Sequence, residues 1–144
     1  MLRVLTTALA ILLGVSIMTA HAQKPGPRTL TGAEAQKSAQ ADVFLAYEQA
    51  LLSGGIDAAS KYMTPERLAD MKDMVKQFGE DGFKEFQARQ RQKTAQGEAR
   101  RKQIQKVMVD GDSAVLEAQT KQKGTLDEVR LVKTKDGWKI GKGR

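Results

Sequence analysis

The sequence predicts an α+β fold in which N-terminal helices pack on an antiparallel meander sheet of four or more strands. Three observations support this prediction. Apolar residues recur with helical spacing before Gly97, the pattern changes to alternation after it, and glycine-bearing turns separate the alternating segments. The chain has 144 residues, of which 40% are apolar, and this is enough for one domain with one core. Helices first and strands second, segregated along the chain, are typical of an α+β layer fold.

Residues 1–22 have the pattern of a secretory signal peptide. Arg3 provides a positive start, residues 4–18 form an apolar run, and Ala20-His21-Ala22 fits the small–x–small cleavage pattern. The run is shorter than the ~20 residues that span a bilayer. We therefore expect cleavage after Ala22 and a periplasmic or secreted protein without a stable membrane span. The alternative is an uncleaved anchor helix.

Residues 23–37 are expected to form a flexible lead-in to a single domain over 38–144, because two prolines and two glycines fall within 23–32. A helical pattern begins near Ala33. The apolar positions of this first helix lie on one face: Val43, Phe44, Tyr47, Ala50 and Leu51. Gly54-Gly55 is predicted to end the helix, because glycine adopts the left-handed conformation at a helix end without a Cβ clash.

Two or three further helical segments are predicted before the strands. A short one covers Asp57 to Tyr62. Thr64-Pro65-Glu66 starts a longer one, since threonine caps the helix, proline fits its first turn and glutamate suits its positive end. The apolar stripe of this helix is Leu68, Met71, Val75 and Phe78. Gly79 is expected to end it, and one more short helix then fades into residues 87–92.

Four β-strands are predicted after Gly97. They are Ile104 to Val109, Ser113 to Lys121, Thr125 to Lys133 and Trp138 to Gly141. The turns between them are Asp110-Gly111, Lys123-Gly124 and Asp136-Gly137, which suit tight hairpins. A two-residue loop at Lys123-Gly124 would place Leu116 opposite Leu131 and Glu117 opposite Arg130. This register collects apolar residues on one sheet face, namely Val107, Val109, Ala114, Leu116, Ala118, Val129, Leu131, Trp138 and Ile140.

The composition excludes several classes of chemistry. The chain has no cysteine and one histidine, His21, which lies in the expected leader. A mature protein without either residue type cannot use a Cys or Ser–His nucleophile, a His/Cys zinc site or a disulfide framework. We therefore predict no catalytic residue, no metal site and no cofactor.

The order of elements resembles a known group of small exported domains. The residues that carry the resemblance are Val107 to Val115, Val129 to Lys133, Asp136 to Ile140, Phe44, Gly54 to Asp57 and Tyr62 to Glu66. Together they resemble the nuclear-transport-factor-like superfamily of cystatin-like α+β rolls, and within it the bacterial exported, lumazine-binding-like branch of domains of unknown function. The resemblance covers about residues 38–142.

The resemblance implies a sheet curled into a cone-like roll around a helix, with a cavity inside. Some members of the superfamily are isomerases, dehydratases or cyclases, and many others only bind ligands or partners. A His–Asp dyad cannot be carried over, and a tyrosine–acid site would need Tyr47 or Tyr62 with Asp42, Asp57 or Glu48. The candidate pocket residues are Tyr47, Tyr62 and Trp138. The resemblance also implies a homodimer through the open sheet face as one arrangement of the protein.

A run of cations between residues 85 and 106 is the most unusual local feature of the sequence. Its candidate polyanion-binding residues are Arg89, Arg91, Lys93, Arg100, Arg101 and Lys102. From Arg89 to Lys106 the run lacks aromatic residues for base stacking, which together with export disfavours nucleic acid. Anionic lipid, lipopolysaccharide or an acidic protein fits better, and a solvated charged surface without a ligand is the simpler interpretation.

These observations favour an exported, non-enzymatic binding or accessory domain for a small ligand or an envelope protein. Two alternatives stay open. One is an isomerase-like or dehydratase-like enzyme with a Tyr/Asp site in the cone, and the other is a binder of polyanions through the basic run.

Overall fold

A computed structural model describes residues 26–122 and 124–143. The expected signal peptide lies outside these residues. The elements in chain order are β1 (Arg28–Thr31), α1 (Gly32–Gln36), α2 (Ala39–Ala59), a 3₁₀ turn (Ser60–Tyr62), α3 (Pro65–Lys93), α4 (Gly97–Lys102), β2 (Ile104–Asp110), β3 (Ser113–Gln119), β4 (Leu126–Thr134) and β5 (Gly137–Ile140). The predicted α+β class is confirmed: the helices pack against a curved, open antiparallel sheet with strand order β1-β2-β3-β4-β5.

Two glycines break the long helices where the sequence predicts it. Gly55 interrupts α2 at φ 72° and Gly79 interrupts α3 at φ 75°, a region that residues with a Cβ rarely adopt. We call residues 65–78 and 80–93 the first and second arms of α3. The second arm is longer than expected and stays helical to Lys93. The predicted cap is present too, because the hydroxyl oxygen of Thr64 accepts from the N–H of Arg67 at 3.3 Å.

The expected flexible lead-in is wrong for Arg28–Gln36, which form β1 and α1. Strand β1 adds a fifth, edge strand to the sheet by pairing antiparallel with β2, with Leu30 opposite Val107. Leu30 packs against the core while its neighbours are exposed. A strand of four residues with one inward apolar side chain gives too short an alternation to be read from sequence.

The hairpin between β3 and β4 differs from the predicted register by two residues. Leu116 lies opposite Val129, and Glu117 lies opposite Glu128. The cause is a longer loop, because the N–H of Thr120 donates to the carbonyl of Thr125 at 3.0 Å. A shift of two residues keeps every side chain on its predicted face, so the apolar face survives although the individual pairs change.

The core lies between this sheet face and α2. Its largest fully buried apolar residues are Phe44, Ile104, Leu116, Leu131 and Val107. The start of α3 is fixed to the sheet edge, because the N–H of Thr64 donates to the carbonyl of Ile140 at 2.9 Å. Within residues 26–122 and 124–143, no helix is long and apolar enough to cross a membrane.

Candidate functional site

A cavity of about 240 Å³ reaches between α2, α3 and β4. Its aromatic and aliphatic walls are Phe44, Tyr47, Leu51, Leu52, Phe86 and Val129. Its polar walls are Glu48, Arg67, Gln90, Thr94, Asp127 and Glu128. We call this space the helix–sheet cavity. Larger recesses exist at the surface, such as one of about 730 Å³ between α2 and α3, but the helix–sheet cavity extends to the buried interface between the two layers.

The second arm of α3 closes one side of the helix–sheet cavity. It is tied to α2 by two side chains one turn apart: Gln87 Nε2 donates to the carbonyl of Leu51 at 2.6 Å, and Arg91 donates to the carbonyl of Leu52. Both carbonyls lie in the last turn before the break at Gly55, where a helix leaves carbonyl oxygens without intrahelical partners. The break in α2 therefore supplies the acceptors that hold the second arm in place.

Arg100 forms a buried charge network with two residues of the cavity wall, Glu48 and Asp127. The residue is 1% exposed, and all five of its N–H groups have acceptors. Nε and Nη2 donate to the two carboxylate oxygens of Glu48 at 2.8 and 2.7 Å, and Nη2 also donates to Asp127 at 2.9 Å. Nη1 donates to the Gln103 side chain at 3.2 Å and to the carbonyl of Gln119 at 2.9 Å. The guanidinium thereby joins α4, α2, β3 and β4 into one rigid wall.

Burial and ion pairing act in opposite directions on this network. Burial raises the pKa of Glu48 above its ordinary value, because the cost of desolvating the carboxylate exceeds the stabilisation by Arg100. Burial lowers the pKa of Arg100, but the hydrogen bonds and charges of Glu48 and Asp127 outweigh this effect and raise it overall. Arg100 is therefore a permanent cation, and Glu48 is the member of the pair that protonates more readily.

Arg67, which lines the cavity, has an unsatisfied donor. Its Nε is buried and has no hydrogen-bond partner, and it is the one side-chain N or O in this condition among the described residues. Sequence reasoning did not single out Arg67. The sequence did contain a signal for it, however. Arg67 lies four residues before Met71, so a cationic side chain falls on the helix face that carries the apolar stripe of α3.

The structure does not bring the three candidate pocket residues together. Tyr47 is buried and lines the helix–sheet cavity. Tyr62 lies in the 3₁₀ turn beside a different surface recess, with the Lys61 ammonium 5.1 Å from its ring centre. Trp138 lies half-buried in β5 and packs against the core. Tyr47 does share the cavity with Glu48, as a tyrosine–acid site would require, but both carboxylate oxygens of Glu48 accept bonds from Arg100.

The candidate polyanion residues also separate in the structure. Arg100 is buried, and Arg101 pairs with Asp42 at 2.8 Å. Arg89 pairs with Glu85 at 2.6 Å, and Arg91 is bonded to α2. Lys93 and Lys102 remain exposed. The expectation that Arg100 serves a polyanion surface is wrong, because its side chain faces the protein interior. No group of three His, Cys, Asp or Glu side chains converges as a metal site within the described ranges.

Comparison with known proteins identifies the family of this chain. A family model described as "Putative lumazine-binding" matches residues 35–142. The comparisons with curated proteins and with solved structures gave no match. The matched segment includes every element from α2 to β5, and it confirms the lumazine-binding-like part of the resemblance; membership of the wider superfamily stays a prediction. Because the match extends over well more than half of the sequence, the chain belongs to the putative lumazine-binding family.

Proposed function

We propose that this protein is a non-enzymatic binding domain that holds a small ligand in the helix–sheet cavity. The observation that carries the proposal is the cavity itself, which combines aromatic and aliphatic walls with a few converging polar groups. Such a combination is typical of small-molecule sites, where apolar walls supply affinity and polar groups fix orientation. The family description, putative lumazine-binding, supports a ligand-binding role and names a first compound to test.

The volume of the cavity limits the size of the ligand. The cavity has a volume of about 240 Å³. This is below the ~300–1,000 Å³ of pockets that hold drug-sized molecules. A planar bicyclic ring such as the pteridine of lumazine matches this size, whereas a ligand with a long side chain would have to extend past the second arm of α3.

A binding role fits the chemistry of the walls better than catalysis does. A general base needs a carboxylate with a free oxygen within reach of the substrate. Both oxygens of Glu48 accept from Arg100, and Asp127 accepts from it through Oδ2, so the charges of both carboxylates are compensated within the wall of the cavity. Tyr47 then contributes its ring as an apolar surface on which a planar ligand can lie.

The experiment is a titration with lumazine, followed by its fluorescence and by NMR shifts of the protein. We expect shifts of Tyr47 and Phe86. Val129→Phe should abolish binding, because Val129 lines the cavity and the larger ring would occupy it. Val132→Phe is the matched control, since it makes the same change on the same strand but on the opposite sheet face, where Val132 is 38% exposed. Equal binding by both variants would contradict the proposed site.

We also propose that the protein acts outside the cytoplasm, in the periplasm or secreted. The support is the leader pattern of residues 1–22. Mass spectrometry of the protein from its native host should find Gln23 as the first residue. An intact N-terminus in the mature protein would contradict this.

A further inference from the structure

Asp127 is a wall residue of the helix–sheet cavity, and one oxygen of its carboxylate is unused. Its side chain lies on the core-facing side of the sheet, because Asp127 stands opposite Ala118, which is fully buried. Oδ2 accepts from Nη2 of Arg100 at 2.9 Å. Among the described residues, no hydrogen bond or ion pair reaches Oδ1. Since the side chain is 41% exposed, a molecule in the cavity can reach this acceptor.

The position of Arg100 indicates the direction in which Oδ1 points. Arg100 and Glu48 line a separate recess of about 670 Å³, and Arg100 does not line the helix–sheet cavity. Asp127 lines the cavity and does not line that recess. The carboxylate of Asp127 therefore stands between the guanidinium and the cavity. Because the two oxygens of a carboxylate point apart, the bond from Oδ2 to Arg100 turns Oδ1 toward the cavity.

The unused oxygen favours a ligand with a hydrogen-bond donor, because an ionised carboxylate accepts hydrogen bonds and cannot donate them. Arg100 holds the group in one orientation, since it is 1% exposed and donates from every N–H. The neighbouring acids do not compete for the donor. Both oxygens of Glu48 accept from Arg100, and the side chain of Glu128 is exposed on the outer sheet face. The aromatic walls of the cavity favour a flat ring, which presents its donors as N–H groups at the ring edge.

We propose that Asp127 is the specificity-determining residue of the cavity and selects planar heterocycles that carry an N–H at the ring edge. This inference rests on the proposed function, because it assigns the ligand class of the same cavity. The ring N–H donates to Oδ1 of Asp127, and the ring lies against the aromatic wall. The proton stays on the ring nitrogen, so the contact is a hydrogen bond to a charged acceptor, which is stronger than one between neutral groups.

The test compares lumazine with 1,3-dimethyllumazine, which keeps the two rings and their carbonyls but has methyl groups in place of both ring N–H groups. We expect the native protein to prefer lumazine by about tenfold, as for a hydrogen bond to a charged group. Asp127→Asn keeps an oxygen for Arg100 and turns an NH₂ donor toward the cavity, so it should remove the preference. Asp42→Asn is the matched control and should keep it. Asp42 also pairs with an arginine through one oxygen, to Arg101 at 2.8 Å, but it is 62% exposed and lies outside the cavity.

The ratio of the two affinities within one variant is a measurement that a purely structural role would not move, because both probes meet the same folded protein. A preference that persists in Asp127→Asn, whatever the affinity of that variant, would make exclusion of the methyl groups its cause and overturn the inference. Equal binding of both probes to the native protein would also overturn it, while leaving the proposed function standing. Failure of both probes to bind the native protein would overturn the proposed function and the inference together.

Discussion

Replacement of Arg100 by methionine removes the guanidinium and keeps an unbranched apolar chain in its place. The change leaves the carboxylate of Glu48, whose side chain is 19% exposed, without its bidentate partner. Breaking a buried pair by removing one member costs about 3–5 kcal/mol, because the remaining charge is desolvated and uncompensated. Asp127 is 41% exposed and is solvated by water instead, so it adds little to this cost.

This loss is a large part of the total stability of a domain, which is about 5–15 kcal/mol. For a chain of this length each kcal/mol lowers the melting temperature by about 3–5 °C, so we expect a fall of about 10–20 °C. Circular dichroism during thermal and urea unfolding measures both quantities. Arg101→Met is the matched control. The adjacent Arg101 is 28% exposed and forms surface pairs, so its loss should cost about 1 kcal/mol or less.

The pH dependence of the Arg100→Met defect tests its cause. Burial already raises the pKa of Glu48 in the folded protein, and loss of Arg100 should raise it further. A carboxyl whose folded pKa exceeds its unfolded value of about 4.3 favours folding when protonated, and this contribution is lost as the pH rises through the folded pKa. The difference between native and variant stabilities should therefore be larger at pH 7.5 than at pH 4.5. A defect that equals that of Arg101→Met, or that does not change with pH, would refute the assignment of Arg100 as a buried, charge-compensating residue.

Three further predictions concern the arms of α3 and the sheet. Gly79→Ala should lower the free energy of unfolding, measured in urea, by about 1–3 kcal/mol, because a backbone at φ 75° and ψ 169° is strained for any residue with a Cβ. A steric clash is not the cause, since no atom lies within 4 Å of the added methyl group. Gln87→Ala removes the hydrogen bond to the carbonyl of Leu51, so it should speed amide hydrogen exchange in residues 80–93 and the release of bound lumazine. Unchanged hydrogen exchange would mean that this bond does not hold the second arm. If the implied homodimer forms through the sheet, light scattering of the native protein should give the mass of a dimer. Val132→Glu, on the outer sheet face, should then give the mass of a monomer. A native protein that is monomeric at all concentrations would contradict that expectation.

The sequence was sufficient to predict those features that depend on local chemistry. The helix breaks at Gly55 and Gly79 follow from the conformational freedom of glycine alone. The apolar sheet face follows from the alternation of side chains, which a shift of two residues does not disturb. For this reason the face was predicted correctly, while the pairing of Glu117 with Arg130 was wrong.

The charge network could not be predicted in the same way, because its partners are distant in sequence. Arg100 stands in a run of three cations that reads as a solvated surface, yet Glu48 is 52 residues away and Asp127 is 27 residues away. One signal did exist. Asp127 lies two residues before Val129 and so falls on the predicted apolar face, where a carboxylate requires a cationic partner. The alternation therefore predicts that such a partner exists, but it does not say which cation fills the position.

Arg100 and Arg67 differ in how their buried donors are satisfied. Arg100 has an acceptor for each of its donors and is 1% exposed, so its contribution is to the folded state and its replacement should lower stability. Arg67 retains a buried donor without a partner, so the folded state is less stable than it could be at this position. The two replacements should therefore differ in their effect on stability. Arg100→Met should unfold at lower temperature, whereas Arg67→Met removes an unsatisfied buried donor and should keep the melting temperature or raise it.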